Sequence, residues 1–245
     1  MSAHTAKVIL LHGWGFTPAI WTPFADALIR HGFNPDQIFA PRLPLASGDL
    51  SQTLAALTRL IPERAHLVGW SLGGELAMAL TDTMPKYLAS LSLIASTPCF
   101  MNREGWALGQ PPSLLDDFDQ RLAESPVALL KRFAMLIRHG DAAASRDRAL
   151  SETLAQATDP DPIRLEIGLK LLRHLDLRTK PPKGATPTLL IHGAQDAVVP
   201  IAAAAWFAQQ TNAPLETIEG ASHALPLTHP QQIADRVQRF IEHNA

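Results

Sequence analysis

The stretch Ala65–Leu80, AHLVGWSLGGELAMAL, sets a serine between two glycines where one apolar run stops and another begins. "AHLVG" has the length and apolar character of a buried strand, and Leu72 to Met84 carries apolar residues at helical spacing. Gly69-Trp70-Ser71-Leu72-Gly73 thus fits Gly-x-Ser-x-Gly in the context where it has mechanical meaning, strand before and helix after. Such a sharp turn strains the serine backbone and lifts its hydroxyl above the sheet. Glycine at positions 69 and 73 removes Cβ atoms that would collide where strand and helix crowd together. The amides opening the helix face whatever Ser71 attacks, a place that favours negative charge. The plain alternative is a serine N-cap with incidental glycines.

Outward from this turn, short apolar runs alternate with longer amphipathic stretches, the pattern of a parallel sheet flanked by helices. "KVILL" (Lys7 to Leu11) reads as a strand ending in His12-Gly13, followed by a helical pattern through Ile20, Phe24, Ala27 and Leu28 that stops at Gly32. A weaker strand spans Gln37 to Ala40, and Leu50 to Ile61 reads as a helix. "LASLSLIAS", "TPTLLIHG" and "LETI" supply the remaining strands. From about Phe100 to Pro182 only helical patterns occur, with Ser113, Ser125 and Asp161 as candidate starts. The expected fold class is α/β, with residues 1–99 and 183–245 forming the core and 100–182 a helical cap.

Composition excludes several classes. The 47% hydrophobic and 18% charged residues are those of a globular chain, and a net charge of −2 argues against a general nucleic-acid binder. Cys99 is the single cysteine, so no internal disulfide can form, and a reducing compartment is permitted. No leader pattern and no apolar run near the roughly 20 residues of a membrane span is present. A cytoplasmic monomer without membrane attachment is expected. No Walker loop, strand-coupled Gly-x-Gly-x-x-Gly or metal-spaced cluster is seen, so no cofactor and no metal is expected.

A serine hydroxyl is a poor nucleophile unless a base takes its proton during attack. With the nucleophile on such a turn, the partners follow in the order acid, then histidine, each on a loop after a strand. "LLIHGAQDAVVP" places Asp196 past a strand and a glycine turn, and "EGASHALPLTHP" places His223 between the last strand and the C-terminal helix. His192 lies at a strand end, His229 at a helix start and His243 near the terminus, all less well placed. For an oxyanion hole, Leu72 offers the N–H after the nucleophile, and Trp14 in "LLHGWGF" lies in the loop after the first strand. His12 reads as a structural hydrogen-bonder in that loop.

At these residues the chain resembles the α/β-hydrolase superfamily and, within it, the pimeloyl-[acyl-carrier protein] methyl ester esterases. The discriminating marks are "LVGWSLGGELA", "IASTPCFMNREGW", "LKRFAML", "HLDLR" and "GASHALPLTHP". The resemblance implies a biotin-synthesis enzyme that releases methanol from the pimeloyl methyl ester on acyl carrier protein, its protein partner. It implies Ser71 as nucleophile, His223 as base, Asp196 as its orienter, and Trp14 and Leu72 as oxyanion donors that also touch substrate. It further implies substrate contact by Phe133, Ala134, Met135, Leu136 and Ile137, and carrier contact by Arg132, with Arg138, Arg146 and Arg148 nearby.

Two departures bear on the pocket rim: the chain starts almost at its first strand, and "APRLPLASGDL" replaces the superfamily's usual glycine-rich loop. A general short-chain carboxylesterase shares every catalytic residue. A carbon–carbon hydrolase of ring-cleavage products also uses Ser-Asp-His, and some proteins of this fold bind ligands without turnover. Dehalogenases and epoxide hydrolases of this fold place aspartate where Ser71 stands.

Overall fold

A computed structural model of the chain describes residues 6–84, 88–141, 144, 148–179 and 186–244. Its centre is a six-stranded sheet in the order β2-β1-β3-β4-β5-β6, every neighbouring pair parallel. The strands are β1 Val8–Leu11, β2 Ile38–Phe39, β3 Ala65–Trp70, β4 Leu88–Ile94, β5 Thr188–Gly193 and β6 Leu215–Ile218. β1, β3 and β5 are buried at every position, as expected for strands covered on both faces.

The covering helices are α1 Thr22–Arg30, α2 Leu50–Thr58, α3 Leu72–Thr83, α8 Ile201–Thr211, α9 Leu225–Thr228 and α10 Pro230–His243. Between β4 and β5 the chain runs through α4 Pro112–Glu124, α5 Pro126–Leu136, α6 Arg148–Gln156 and α7 Pro162–His174. Ser125 and Asp161 cap α5 and α7 with their side chains, as their sequence contexts predict. Ser113 does not cap α4. The helix starts at Pro112, whose fixed φ suits the first turn and which has no N–H to satisfy, so Pro111 takes the cap position. α2 ends at Thr58 instead of Ile61, because the residue before Pro62 is disfavoured in helical conformation.

One large core runs through the sheet and both helix layers, and includes Phe118, Leu130 and Phe133 from the β4–β5 excursion. A separate small cluster contains Cys99, Trp106 and Ala203, with Trp206 edge-on to Trp106 at 5.0 Å between ring centroids. The Trp106 indole donates to the Cys99 carbonyl at 3.0 Å, so the "STPCF…W" segment is tied together by packing. Burial pushes the Cys99 thiol up, in keeping with an inert core residue. Among the described residues no helix is long and apolar enough to cross a membrane.

Candidate active site

Ser71 sits between β3 and α3 with φ 55° and ψ −124°, a region that costs a non-glycine residue about 1–3 kcal/mol. The surroundings over-determine it. Its N–H donates to the Ile94 carbonyl at 3.0 Å, and its carbonyl accepts from Gly74 N, Glu75 N and the Ser96 hydroxyl at 2.8, 3.1 and 3.0 Å. The flanking glycines are required by close approach. A Cβ on Gly69 would lie 2.6 Å from the Gly73 carbonyl oxygen, and one on Gly73 would strike the carbonyls of Leu11 and His12. The start of α3 is thereby pressed against the end of β1. Leu72 is the first residue of α3, where an N–H has no helical partner.

The loop after β1 is held by its own histidine. His12 Nδ1 lies 2.9 Å from the Gly13 carbonyl, and its Nε2 accepts from Leu43 N at 3.1 Å. Since Nε2 accepts, Nδ1 carries the proton and the ring is neutral. Burial, the largest influence, lowers its pKa to about 4. Leu43 belongs to "APRLPLASGDL", so this segment braces the loop after β1, and Arg164 donates to the Leu43 carbonyl at 2.7 Å. Trp14 is pinned by its indole N–H to the Leu165 carbonyl at 2.9 Å, and its ring meets Phe133 edge-on at 4.9 Å and Phe118 at 5.5 Å.

Asp196 and His223 come together from loops after β5 and β6. His223 Nδ1 lies 2.8 Å from Asp196 Oδ2, and the other carboxylate oxygen accepts from Val198 N and Val199 N, both at 2.8 Å. Burial, the largest influence, acts to raise the Asp196 pKa. The two imidazoles beside it, His223 with its hydrogen bond and His192 close by, outweigh it and hold the carboxyl well below the usual range. An ionised carboxylate only accepts, so His223 Nδ1 carries the proton of this bond. Its Nε2 is buried without a hydrogen-bond partner among the described residues. The Trp70 indole donates to the His223 carbonyl at 2.9 Å, with ring centroids 5.5 Å apart, which ties the histidine loop to the residue before Ser71.

His192 turns its Nε2–H to the Val199 carbonyl at 2.8 Å and lies 3.4 Å from Asp196 Oδ2. It supports the carboxylate and does not compete for the position of base. The contributions of Trp70 to the histidine loop, and of His192 and Ser96, escape a reading of the sequence. The Trp70 and Ser96 contacts join segments 153 and 25 residues apart, whereas those of His192 are local, and only the tryptophan before the serine carried a signal.

The side chains of Phe133–Ile137 do not share one face. A helix turns about 100° per residue, so neighbouring side chains face different ways. Phe133 points at Trp14 and Ile137 is fully buried. Leu136 is half-buried against the core, while Met135 is exposed and, with Ala134, Val127 and Lys131, lines a groove whose other wall is Ser151, Leu154 and Ala155 of α6. Arg132 is exposed on α5. Arg138 is spent on a 2.7 Å bond to Ser151 that joins α5 to α6. Arg146 and the Arg148 side chain lie outside the described residues.

A parallel sheet with its nucleophile turn after β3 and its acid and histidine after β5 and β6 defines a class, and the comparisons agree with it. The chain belongs to the alpha/beta hydrolase family, whose model matches residues 8–236. It is 36% identical over 242 residues to the pimeloyl-[acyl-carrier protein] methyl ester esterase of Aeromonas salmonicida, covering 96% of this chain and 94% of that protein. A protein of the same name from Aromatoleum aromaticum is 35% identical, covering 96% of this chain and 97% of the relative. Among solved structures, an esterase from Exiguobacterium antarcticum superposes with a TM-score of 0.81 at 19% identity, covering 97% of this chain and 92% of that one. A bromoperoxidase from Bacillus anthracis superposes at 0.82 with 20% identity and the same coverage. An esterase and a bromoperoxidase on one fold show that function must be argued from the site.

Proposed function

We propose that the chain is a serine carboxylesterase that hydrolyses the methyl ester of pimeloyl-acyl carrier protein in biotin synthesis. The observation that carries the chemistry is the 2.8 Å bond from His223 Nδ1 to a buried, ionised Asp196, with the His223 loop tied through its carbonyl to Trp70, the residue before Ser71. The substrate rests on the names of the relatives and on the motifs shared with them.

In this reading Ser71 Oγ attacks the ester carbonyl carbon while His223 Nε2 takes the hydroxyl proton. The Leu72 and Trp14 backbone N–H groups receive the oxyanion, each worth about 2.7–4 kcal/mol in comparable enzymes. Collapse breaks the bond to the methoxy oxygen, and His223 returns the proton to it, releasing methanol. Water then attacks the acyl-enzyme with His223 again as base, freeing the pimeloyl carboxylate and Ser71. Residues 100–182 serve as the cap over this site, with Phe133 closing on Trp14 and exposed Arg132 meeting the acidic carrier protein.

The test compares pimeloyl-carrier methyl ester with p-nitrophenyl acetate, using Ser71→Ala as control. Strong preference for the carrier ester and a loss of about 10⁴-fold or more in the mutant are expected. Turnover of the small ester alone would leave a general carboxylesterase. Mutant turnover near wild type would remove Ser71 from the chemistry.

A further inference from the structure

We propose that Asp141, in the turn that follows α5, is a positioning residue for the His223 imidazole and acts through Ser222; this rests on reading His223 as the base. Asp141 is buried, and its carboxylate spans two segments. Oδ2 accepts from Ser222 N at 3.2 Å and lies 3.3 Å from Ser222 Oγ, while Oδ1 accepts from Ala144 N at 3.1 Å. The Ser222 hydroxyl has one proton, and its shorter contact, 2.7 Å to the Ile137 carbonyl, takes it. The same carbonyl accepts from Ala224 N at 3.0 Å. The residues on both sides of His223 are therefore fastened to the end of α5.

The same turn reaches the acid. Gly140 has φ 83°, and a Cβ there would lie 3.2 Å from Gln195 Cβ and 3.4 Å from its carbonyl oxygen. Gln195 precedes Asp196 and donates its N–H to the Ala221 carbonyl at 2.9 Å, so the acid and base loops are also joined to each other. Residues 137–141 thus bracket both loops, while Phe133, one turn earlier on α5, packs on Trp14 of the oxyanion loop.

A carboxylate suits this bracket for a physical reason. A buried charge is costly unless donors meet it, so the loop carrying Ser222 N is held where Asp141 can be satisfied. His229 Nδ1 lies 3.8 Å from Oδ2. A misplacement of about 1 Å in a catalytic group costs about 10²-fold, which sets the scale of what Asp141 controls.

The experiment measures kcat and KM for p-nitrophenyl acetate with full-length wild type, Asp141→Ala and Asp141→Asn, each well below its melting midpoint. The low-field proton resonance of the His223–Asp196 hydrogen bond is recorded alongside. Asp141→Ala is expected to lower kcat about 10- to 100-fold, leave KM within about twofold, and shift or broaden that resonance. Asp141→Asn, which keeps an oxygen for Ser222 N–H, should recover part of the loss. A folded Asp141→Ala with wild-type kcat and an unmoved resonance overturns the proposal. Should Asp141→Ala fail to fold, Asp141→Asn decides: its weaker, neutral acceptor should lower kcat several-fold and shift the resonance, and wild-type kcat with an unmoved resonance overturns the proposal. Labelling of wild-type Ser71 by a fluorophosphonate tests the underlying reading separately, since its failure would remove nucleophile and base together.

Discussion

His12 shows how a buried histidine close to the Ser71 turn is kept out of proton traffic. Its two ring nitrogens are committed, one to the Gly13 carbonyl and one to Leu43 N, and burial lowers its pKa from 6.5 to about 4. The unfolded chain therefore takes up a proton first as pH falls. The stability this group contributes is full above about 6.5 and is lost progressively down to about 4, amounting to about 3 kcal/mol. Proton NMR should find one imidazole titrating near 4 with unfolding free energy declining across that window. An ordinary midpoint for His12 would show that the loop bonds do not persist in solution. Ser71 is the reverse case, a residue whose strained backbone is maintained by four hydrogen bonds so that its side chain is left available.

At the scale of elements, α3 combines helix, nucleophile turn and a buried acid. Glu75 is fully buried one turn after Ser71, with Oε2 unpartnered among the described residues, and burial pushes its carboxyl well above the usual range. The unfolded chain ionises above about 4.5 while the folded one holds the proton, so rising pH beyond that point favours unfolding. Glu75→Leu should stabilise by about 1–2 kcal/mol near neutral pH and flatten the decline of melting temperature above pH 4.5. A destabilised variant with an unchanged slope would mean that Glu75 is satisfied in solution. The strands, the α3 turn and the caps of α5 and α7 were legible because each depends on neighbours in sequence. So were Ser71, Asp196 and His223, since chain order and strand ends place them. α6 and the Asp141–Ser222 contact were not legible. The helix carries no strong cap or stop signal, and the contact joins residues 81 apart along the chain. The groove-facing position of Met135 could have been read from helical periodicity, which a run of five contiguous contacts ignores.

Across the whole molecule, Ser71, Asp196 and His223 lie on loops after β3, β5 and β6, while Lys131 and Arg132 are exposed on α5 of the helical excursion. If this pair meets an acidic carrier, Arg132→Glu should lower kcat/KM for the carrier-linked ester about tenfold more than for a small free ester. The difference should shrink as salt is added, because exposed charges are screened. Equal losses on both substrates would assign Arg132 a purely structural role.

The excursion between β4 and β5 leaves and returns at one point, where Leu177 N donates to the Pro98 carbonyl at 2.8 Å. A segment with paired ends is a module that recombination can exchange without disturbing the sheet, as inserted domains are. Grafting such a segment from a relative would replace Asp141 and the backbone that presents the Ile137 carbonyl. The recipient would then inherit new selectivity and a loosened base together, so that evolving a new substrate in this lineage requires re-tuning the graft's far end before its rate is restored.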